Sequence, residues 1–379
     1  MDFDFSKDQK MIQTSVREFL EKECPSDIVR ELEQTEKGYD PGMWRKMADL
    51  GWMGIAFPEE YNGTEGDFFD LMIVMEEMGR KLLPSPFLST VALCSLPILE
   101  YGTSEQKGQF LPDIAEGRKI WSLALTESSG TNETSEMNLN VTLEGEEYIL
   151  SGTKVFVPYA HIADYYVVVG NYEDGCTVFI VDTNTRGISV EVIPTAAHDK
   201  QCEVVFHEVR VPQKNIVGEI GQGQEIVNFI LQRGTTLKCA EMVGGAQAAL
   251  ELTNDYAKKR IQFGRPIGSF QAIQHKLADM LIDVEGLKHL VHEVSWRISV
   301  GLPSDLLISV AKAKANEVYQ RTCIQGIRIH GAIGFTREQD IGLYHLRTKA
   351  WEFAMGGSDY HNENIAAELE HYRPPIFSS

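Results

Sequence analysis

Residues 260–271 read RIQFGRPIGSFQ and lie between two long segments with helical periodicity. Upstream is GQEIVNFILQRGTTLKCAEMVGGAQAALELTNDYAKKR, and the downstream segment places apolar residues on one stripe. The glycines and Pro266 predict a tight turn between two helices, with Arg260 at a helix end and Arg265 within the turn. Guanidinium groups bind phosphate oxygens in a bidentate geometry that lysine cannot match, and Phe263 is placed to cover a flat ring. The alternative is a helix hairpin whose arginines are simply exposed.

The downstream stripe and the next segment extend the helical pattern to the end of the chain. The stripe consists of Ile273, Leu277, Leu281, Val284, Leu287, Val291 and Val294. After Pro303, with Ser304 or Asp305 as the cap, another helix is predicted through LLISVAKAKANEVYQRTCIQGIRIHG. Long antiparallel helices with short connections predict a helical bundle.

The preceding regions differ in period. MIQTSVREFLEKE and DFFDLMIVMEEMGRKLL predict helices, and Asp40 with Pro41 is typical of an N-cap and first turn. From about residue 119 the segments YILSGTKVFVPY, ADYYVVVG, CTVFIVD, GISVEVI and CEVVFHEVRV have a period of two and predict an antiparallel sheet or barrel. The fold class is therefore α+β. We expect a helical domain over 1–117, a β-barrel domain over 118–222 and a four-helix bundle over 223–379.

Composition excludes several classes of function. The net charge of −20 opposes nucleic-acid binding, and the chain has no apolar run long enough to span a membrane. Six scattered cysteines without a CxxC pair argue for reduced thiols, a cytoplasmic location and no metal site. GEIGQGQE around Gly221 lacks GxGxxG spacing and a βαβ unit, so it predicts a strand-to-helix turn.

Four motifs, in order and with matching separations, resemble the acyl-CoA dehydrogenase family. RIQFGRPIGSFQ is similar to its R-x-x-F-G-x-P-x-x-x-F-Q segment, and IHGAIGFTRE at 329–338 to its h-G-G-x-G-F segment. LALTE at 123–127 resembles its A-x-T-E-P loop, and GTKVFVPYAHIAD at 152–164 its G-x-K-x-[FW]-I-T-x-x-x-x-A-D strand. The resemblance covers the whole chain and implies an N-terminal helical domain, a middle β-barrel and a C-terminal helical bundle.

The resemblance implies an FAD site and the partners of the family. FAD would bind between the β domain and the bundle, completed by a neighbouring subunit. Residues matching Arg260, Phe263 and Gln271 would contact the adenosine diphosphate half, and the segments matching 125–126 and 156–158 the flavin ring. The matching cofactor-binding positions are Leu125, Thr126, Phe156, Pro158, Arg260, Phe263, Gln271, Arg328 and Gly331. An acyl-CoA substrate, a homologous subunit in a tetramer and electron-transfer flavoprotein as electron acceptor are implied as partners.

The catalytic carboxylate of the family is missing from both of its usual positions. The family removes the proton α to a thioester with a glutamate, while a hydride leaves the β carbon for the flavin. The resemblance places Gly356 where one group of members has this glutamate, and Gly234 where another group has it. Neither glycine can accept a proton.

Other departures concern the cofactor and the loop beside it. Pro158 replaces a threonine and offers neither hydroxyl nor amide hydrogen, and Arg328 replaces a glutamine that binds pyrophosphate. Ala332 replaces the second glycine, and TESSGTNE lacks the usual P-x-A-G-S-D. Arg328 still suits a phosphate.

Two carboxylates are candidate replacement bases. Glu241 lies two helical turns beyond Gly234, about 10 Å along the axis, which is too far without rearrangement. Asp359 lies three residues beyond Gly356 and next to Tyr360 and His361. The alternatives are that Glu241 is an interface charge and that DYHNE is a polar helix start.

Three functions remain open. The chain is one subunit of a heteromeric acyl-CoA dehydrogenase, a self-sufficient enzyme with a displaced base such as Asp359, or a non-catalytic scaffold that kept the fold. Reoxidation by oxygen, as in the oxidase branches of the family, is also open. The sequence does not identify the acyl group.

Overall fold

The computed structural model describes residues 4–130, 137–173 and 175–371. The N-terminal region is helical, and the chemistry of its caps explains where the helices begin. The Ser6 hydroxyl accepts from the backbone N–H of Gln9 while the Gln9 side chain accepts from the Ser6 N–H, which is a capping box. As predicted, Asp40 caps the helix that begins at Pro41: its side chain accepts hydrogen bonds from the backbone N–H groups of Gly42 and Met43. The helices are α1 (Lys7–Glu23), α2 (Ser26–Gln34), α3 (Pro41–Asp49), α4 (Phe68–Lys81), α5 (Ser95–Tyr101), preceded by a π-helix at Leu88–Cys94, and α6 (Ser104–Ala115).

The middle region forms one eight-stranded sheet among the described residues. Its strands are β1 (Trp121–Ala124), β2 (Asn140–Glu144), β3 (Glu147–Pro158), β4 (Tyr165–Tyr172), β5 (Gly175–Asp182), β6 (Ile188–Ile193), β7 (Gln201–Pro212) and β8 (Ile216–Val217). The order is β6-β7-β3-β2-β4-β5-β8, and β1 pairs with β4. Pairing is antiparallel as predicted except that β4 pairs in parallel with both β1 and β2. Alternation along one strand does not reveal the direction of its neighbour, so these two pairings could not be predicted.

The C-terminal region is helical again, as the apolar periodicity predicts. It comprises α7 (Gly223–Lys259), the short strands β9 (Ile261–Gln262) and β10 (Arg265–Pro266), α8 (Gln271–Ser299), α9 (Asp305–His330), α10 (Ile341–Phe353) and α11 (Ser358–His371). On the α8 stripe Val284, Leu287, Val291 and Val294 are buried. Leu281, in contrast, is 47% exposed. Helical regions before and after the sheet region in the sequence confirm the predicted fold class.

The chain divides into two compact units. One contains residues 4–26, 72–83 and 235–371, and its core is formed by apolar faces of the C-terminal helices. The other contains 27–71 and 84–234, and its core lies against the sheet, where Trp121, Tyr148 and Tyr166 are fully buried. In the described parts of the chain, no helix is long and apolar enough to cross a membrane. Within the same residues, no group of three or more His, Cys, Asp or Glu side chains is arranged to hold a metal ion.

Candidate functional site

The predicted turn between α7 and α8 is a two-residue β-hairpin, β9 to β10, within residues 260–271, called the arginine hairpin below. Phe263 and Gly264 occupy its tip with φ values of 52° and 81°. Two consecutive positive φ values are typical of the type I′ turn, whose second position favours glycine. The Ile267 N–H donates to the Arg260 carbonyl at 2.8 Å and closes the base.

The tip and the charged groups of the arginine hairpin face solvent. Phe263 is 91% exposed, and Arg260 and Gln271 are also exposed. The exposed Arg265 guanidinium lies 4.2 Å from the centre of the Phe270 ring. Neither arginine forms an ion pair within the part of the chain that the structure describes. Both cations are therefore available to an anionic ligand.

The end of α9 lies beside the end of α7. The Tyr256 ring stacks on His330 at 4.2 Å, and the Tyr256 hydroxyl donates to the His330 carbonyl at 3.3 Å. Exposed Arg328 is two residues before His330, and Arg260 is four after Tyr256. The two arginines therefore lie at the same end of the bundle. Gly331 caps α9 with a φ of 71°, and a Cβ there would meet no atom within 4 Å, so the backbone conformation is what favours glycine.

The segments matching the flavin-ring positions are joined within the other unit. The Val155 N–H donates to the Thr126 carbonyl at 2.9 Å, so the loop after β1 is bound to β3. Beside this bond β3 has an irregular register between Lys154 and Val157. Phe156 has a φ of 54° and is 57% exposed, whereas Leu125 is buried. The structure thus brings Leu125, Thr126 and Phe156 together.

Pro158 has no hydrogen-bond donor to offer a ligand. Its carbonyl accepts a hydrogen bond from the Ser122 hydroxyl, and proline has no amide hydrogen. The departure from threonine seen in the sequence therefore removes both donors at this position. The TESSGTNE loop lies partly outside the described residues.

Gly356 lies in residues 354–357, the glycine loop, between α10 and α11. Its φ is 99°, and Met355 before it has a φ of 61°. A Cβ on Gly356 would lie 2.5 Å from Tyr360 Cδ1 and 2.9 Å from His361 Nε2. Both distances are shorter than normal carbon contacts, so a glutamate at this position would require local rearrangement. The space next to Gly356 is filled by Tyr360 and His361.

Lys312 on α9 binds the end of α10, immediately before the glycine loop. This fully buried ammonium donates to the carbonyl oxygens of Trp351 at 3.0 Å and Glu352 at 2.9 Å, and to Asn316 Oδ1 at 2.6 Å. Burial lowers the pKa of Lys312 to about 8. The carbonyls belong to the last turn of α10, where the helix dipole favours a cation. Lys312 therefore fixes the end of α10.

The other side of the glycine loop is held by His361 and Asn316. His361 Nε2 lies 2.9 Å from the Met355 carbonyl and Nδ1 lies 3.3 Å from the Ser309 hydroxyl oxygen. Burial lowers the pKa of His361 to about 4, so the ring is neutral at pH 7, donating to Met355 and accepting from Ser309. The Asn316 amide donates to the Ser358 hydroxyl at 3.2 Å. The loop is thus bonded on both sides.

The second position of a family glutamate, Gly234, is buried inside α7. Thr235 and Thr236, which follow it, are buried as well. The candidate Glu241 is buried and forms a close ion pair with Lys238. Its carboxylate is thus held by a cation three residues away on the same helix.

The candidate Asp359 is a solvent-exposed residue in the first turn of α11. A carboxylate in the first turn interacts favourably with the positive end of the helix dipole. This placement agrees with a polar helix start, the alternative to a base that the sequence left open.

The buried polar groups were not identified from the sequence. Lys312 and Asn316 lie four residues apart within a helix whose other buried residues are largely apolar. Lys154 and Glu127 form a second buried pair in the sheet region. A lysine in a buried stripe was the available signal, but the carbonyl groups that Lys312 binds are 39 and 40 residues away in sequence, and only the fold brings them together.

Comparisons with known proteins cover the entire architecture. Three family models match the chain: the acyl-CoA dehydrogenase N-terminal domain over residues 6–118, the middle domain over 122–209 and the C-terminal domain over 221–370. The fold is thus that of a flavin-dependent acyl-CoA oxidoreductase. The chain belongs to the acyl-CoA dehydrogenase family, whose members are FAD-dependent and act on the CH–CH bond of acyl-CoA.

Individual relatives are similar along their full length. A probable acyl-CoA dehydrogenase of Bacillus subtilis, YngJ, is 34% identical, covering 97% of this chain and 100% of that protein. A chain of the ChsE4-ChsE5 complex from Mycobacterium tuberculosis is 28% identical with a TM-score of 0.91, covering 99% of this chain and 100% of that one. A chain from the solved structure of the electron transferring flavoprotein of Acidaminococcus fermentans is 30% identical with a TM-score of 0.92, covering 97% and 99%.

Proposed function

We propose that this chain is one subunit of a heteromeric acyl-CoA dehydrogenase, a heterotetramer in which a related chain supplies the catalytic carboxylate. The observation that carries the proposal is the pair of glycines at the two base positions. At Gly356 the neighbouring Tyr360 and His361 fill the space of a side chain, and the backbone φ is 99°. An α-proton therefore needs an acceptor from elsewhere, and the partner chain is the source that leaves this loop intact.

The residues present fit the diphosphate half of FAD. Arg260, Arg265 and Arg328 are exposed and form no ion pairs with described residues, and all belong to the end of the bundle defined by the Tyr256–His330 contact. Guanidinium groups form charge-assisted bidentate bonds with phosphate oxygens. We assign these arginines and Gln271 to the diphosphate, with Gly331 beside it.

The aromatic and loop residues are assigned to the rings. Phe263, exposed at the hairpin tip, would cover the adenine face, while Leu125, Thr126, Phe156 and Pro158 would face the flavin ring. FAD, when bound, supplies the hydride acceptor for the β carbon. This chain's own residues would bind the cofactor and exclude water from one side of it. Excluding water strengthens the interactions between the charged groups of the site and the cofactor.

Two solved structures support the partners proposed for this chain. ChsE4-ChsE5 is a complex of two named chains, which supports pairing with a non-identical subunit. Similarity to a chain from the structure of an electron transferring flavoprotein supports such a protein as electron acceptor. The acyl-CoA substrate would bind where the partner's carboxylate can reach its α carbon.

Co-expression with a related chain encoded nearby tests the proposal. The chain is purified alone and with that partner, and each preparation is examined by visible spectroscopy and with a panel of acyl-CoA substrates. We expect turnover from the pair only. Full turnover by this chain alone would refute heteromeric function and favour the self-sufficient enzyme.

Two further readouts separate the alternatives. If Asp359 is the base, Asp359→Asn abolishes exchange of the α-proton in bound acyl-CoA while the yellow flavin stays in place. If the protein is a scaffold, it is colourless and takes up no added FAD, alone or with its partner.

A further inference from the structure

Lys154 and Glu127 form a fully enclosed ion pair beneath the loop assigned to the flavin ring. The Lys154 side chain has 0% exposure and the Glu127 side chain 6%, and Nζ lies 2.8 Å from Oε1. Burial lowers the pKa of the Lys154 ammonium. Burial alone would raise the pKa of Glu127, but the lysine and two backbone N–H groups hold that pKa below its usual range. The 2.8 Å contact is thus a buried ion pair in which the carboxylate is stabilised by its hydrogen-bond donors.

Three consecutive residues of the loop are bound to two consecutive residues of β3. Lys154 Nζ donates to the Leu125 carbonyl at 3.0 Å and to Glu127, while the Val155 N–H donates to the Thr126 carbonyl at 2.9 Å. The next residue on the strand is Phe156, which turns outward with a positive φ. The pair thus fixes Thr126 relative to Phe156.

Glu127 also binds the two residues directly before β2. Its carboxylate accepts from the N–H groups of Asn138 at 2.6 Å and Leu139 at 2.9 Å. All of these contacts are made within one compact unit, residues 27–71 and 84–234. A buried ion pair needs such additional hydrogen bonds to offset the cost of removing two charges from water.

We propose that Lys154 and Glu127 are positioning residues for the FAD site: they hold residues 125–126 and Phe156 in the arrangement that receives the flavin ring. The inference rests on the proposed function, because the roles of these loop residues depend on it. A purely structural pair would stabilise the sheet without influencing the cofactor. The two possibilities differ in where the effect of removing the pair appears.

The test uses a charge-neutral double variant, because removing one partner would leave an uncompensated buried charge and strongly destabilise the protein. Glu127→Gln with Lys154→Met removes both charges and retains similar volumes. The control, Glu147→Gln with Arg210→Met, removes an exposed ion pair at the beginning of β3 together with the contact of Arg210 to Glu144. Each is compared with the parent as full-length chain, alone and in the assembled flavin complex.

Hydrogen exchange and FAD affinity are the two readouts. In the double variant we expect hydrogen exchange to be faster than in the parent, with a larger increase in the peptide covering 121–130 than in the rest of the sheet. We expect its FAD affinity to be about tenfold weaker than that of the parent, as for other supporting contacts. The control is expected to match the parent in both. Altered flavin absorbance or reduction potential in the double variant would add support.

Three outcomes would overturn the proposal or its premise. Unchanged local exchange and FAD affinity contradict positioning, and exchange that rises equally throughout the sheet with unchanged FAD affinity assigns the pair to stability alone. A parent that binds no FAD, alone or with its partner, overturns the proposed function and the flavin-facing role with it. Local exchange in the double variant still reports whether the pair holds the loop, so the two failures are distinguishable.

Discussion

The arginine hairpin and the glycine loop belong to the same compact unit, but their polar groups are satisfied in opposite ways. In the hairpin, Arg260 and Arg265 are exposed and have no carboxylate partner among the described residues. In the glycine loop, the carbonyl of Met355 and the neighbouring last turn of α10 are bonded to buried side chains, His361 and Lys312.

This difference separates a surface available to a ligand from one that is complete within the chain. Exposed cations cost little in the absence of a ligand because water solvates them, so they can be kept for binding. A buried network is costly when only partly satisfied, so its members act together and resist substitution. The hairpin should therefore respond to mutation in cofactor affinity, and the glycine loop in stability.

The largest effect is expected from neutralising the hairpin. Arg260→Gln with Arg265→Gln removes two charge-assisted bonds to the diphosphate, and we expect FAD affinity in the assembled complex to fall about 100-fold, or ~2.7 kcal/mol. The free energy of unfolding of the chain should change by less than about 0.5 kcal/mol, because both side chains are exposed. Flavin titration and chemical denaturation measure the two quantities.

The hairpin variant needs a control for lost positive charge. Arg45→Gln removes an exposed arginine on α3 that pairs with its helical neighbour Asp49, and FAD affinity should be unaffected. The affinity of the parent should also weaken with salt more steeply than that of the double variant. Equal affinities in parent and double variant would show that the exposed cations serve something else.

The next largest effect is expected at Lys312. Lys312→Met leaves the carbonyls of Trp351 and Glu352 without their donor, and we expect a loss of about 2 kcal/mol in the free energy of unfolding. Denaturant titration of the chain measures this loss. Lys314→Met, which removes a half-buried lysine that pairs with Glu317 on the same helix, is the matched control.

The same variant predicts a dependence on pH. Burial lowers the pKa of Lys312 to about 8, against 10.5 for the ordinary side chain. Between these values the unfolded chain holds a proton that the folded chain has released, so stability due to this group rises with pH. The stability advantage of the parent over Lys312→Met should therefore widen from pH 8 to 10.5. A constant difference would contradict the lowered pKa.

A smaller effect is expected at the glycine loop itself. Gly356→Ala should cost about 1–2 kcal/mol, because the φ of 99° is unfavourable for alanine and the Cβ meets Tyr360 and His361. Gly357→Ala is the matched control, since a Cβ there would lie 3.7 Å from its nearest neighbour, Phe353, an ordinary contact.

By the same reasoning Gly356→Glu should not create turnover in the chain purified alone; substantial activity would show that the loop can accept a base.

Much of the fold could be predicted because each element has a strong period. The helices α7, α8 and α9 and the strands β3 to β7 follow apolar patterns that are local in sequence. Leu281 shows the limit of this reasoning: periodicity identified its stripe, but periodicity does not reveal whether another element of the chain covers that part of the stripe.

The candidate site could be predicted only in part. The hairpin was found because arginine, glycine and proline are recognisable at fixed spacing, although its antiparallel strands were not anticipated. The network of Lys312, Asn316 and His361 was missed because the groups that Lys312 and Asn316 bind, on residues 351, 352 and 358, lie 39 to 42 residues away in sequence and only folding brings them together. The sequence revealed that a carboxylate is absent at 356, whereas the neighbours that exclude one required coordinates.

The smallest predicted effect, at Phe263, distinguishes the cofactor role of the hairpin from simple exposure. The ring is 91% exposed, and its centre lies 6.1 Å from the centre of the Phe270 ring in an edge-to-face arrangement. Phe263→Ala should therefore leave the free energy of unfolding almost unchanged. If the ring covers adenine, FAD affinity should fall by about 1 kcal/mol, or fivefold. Phe263→Tyr keeps the aromatic face and should retain the parent affinity. Because alanine and tyrosine both keep a Cβ at the positive φ of 52°, a loss confined to alanine would be due to the ring and not to the turn. Equal affinity in all three proteins would remove Phe263 from the cofactor site while leaving the arginines in it.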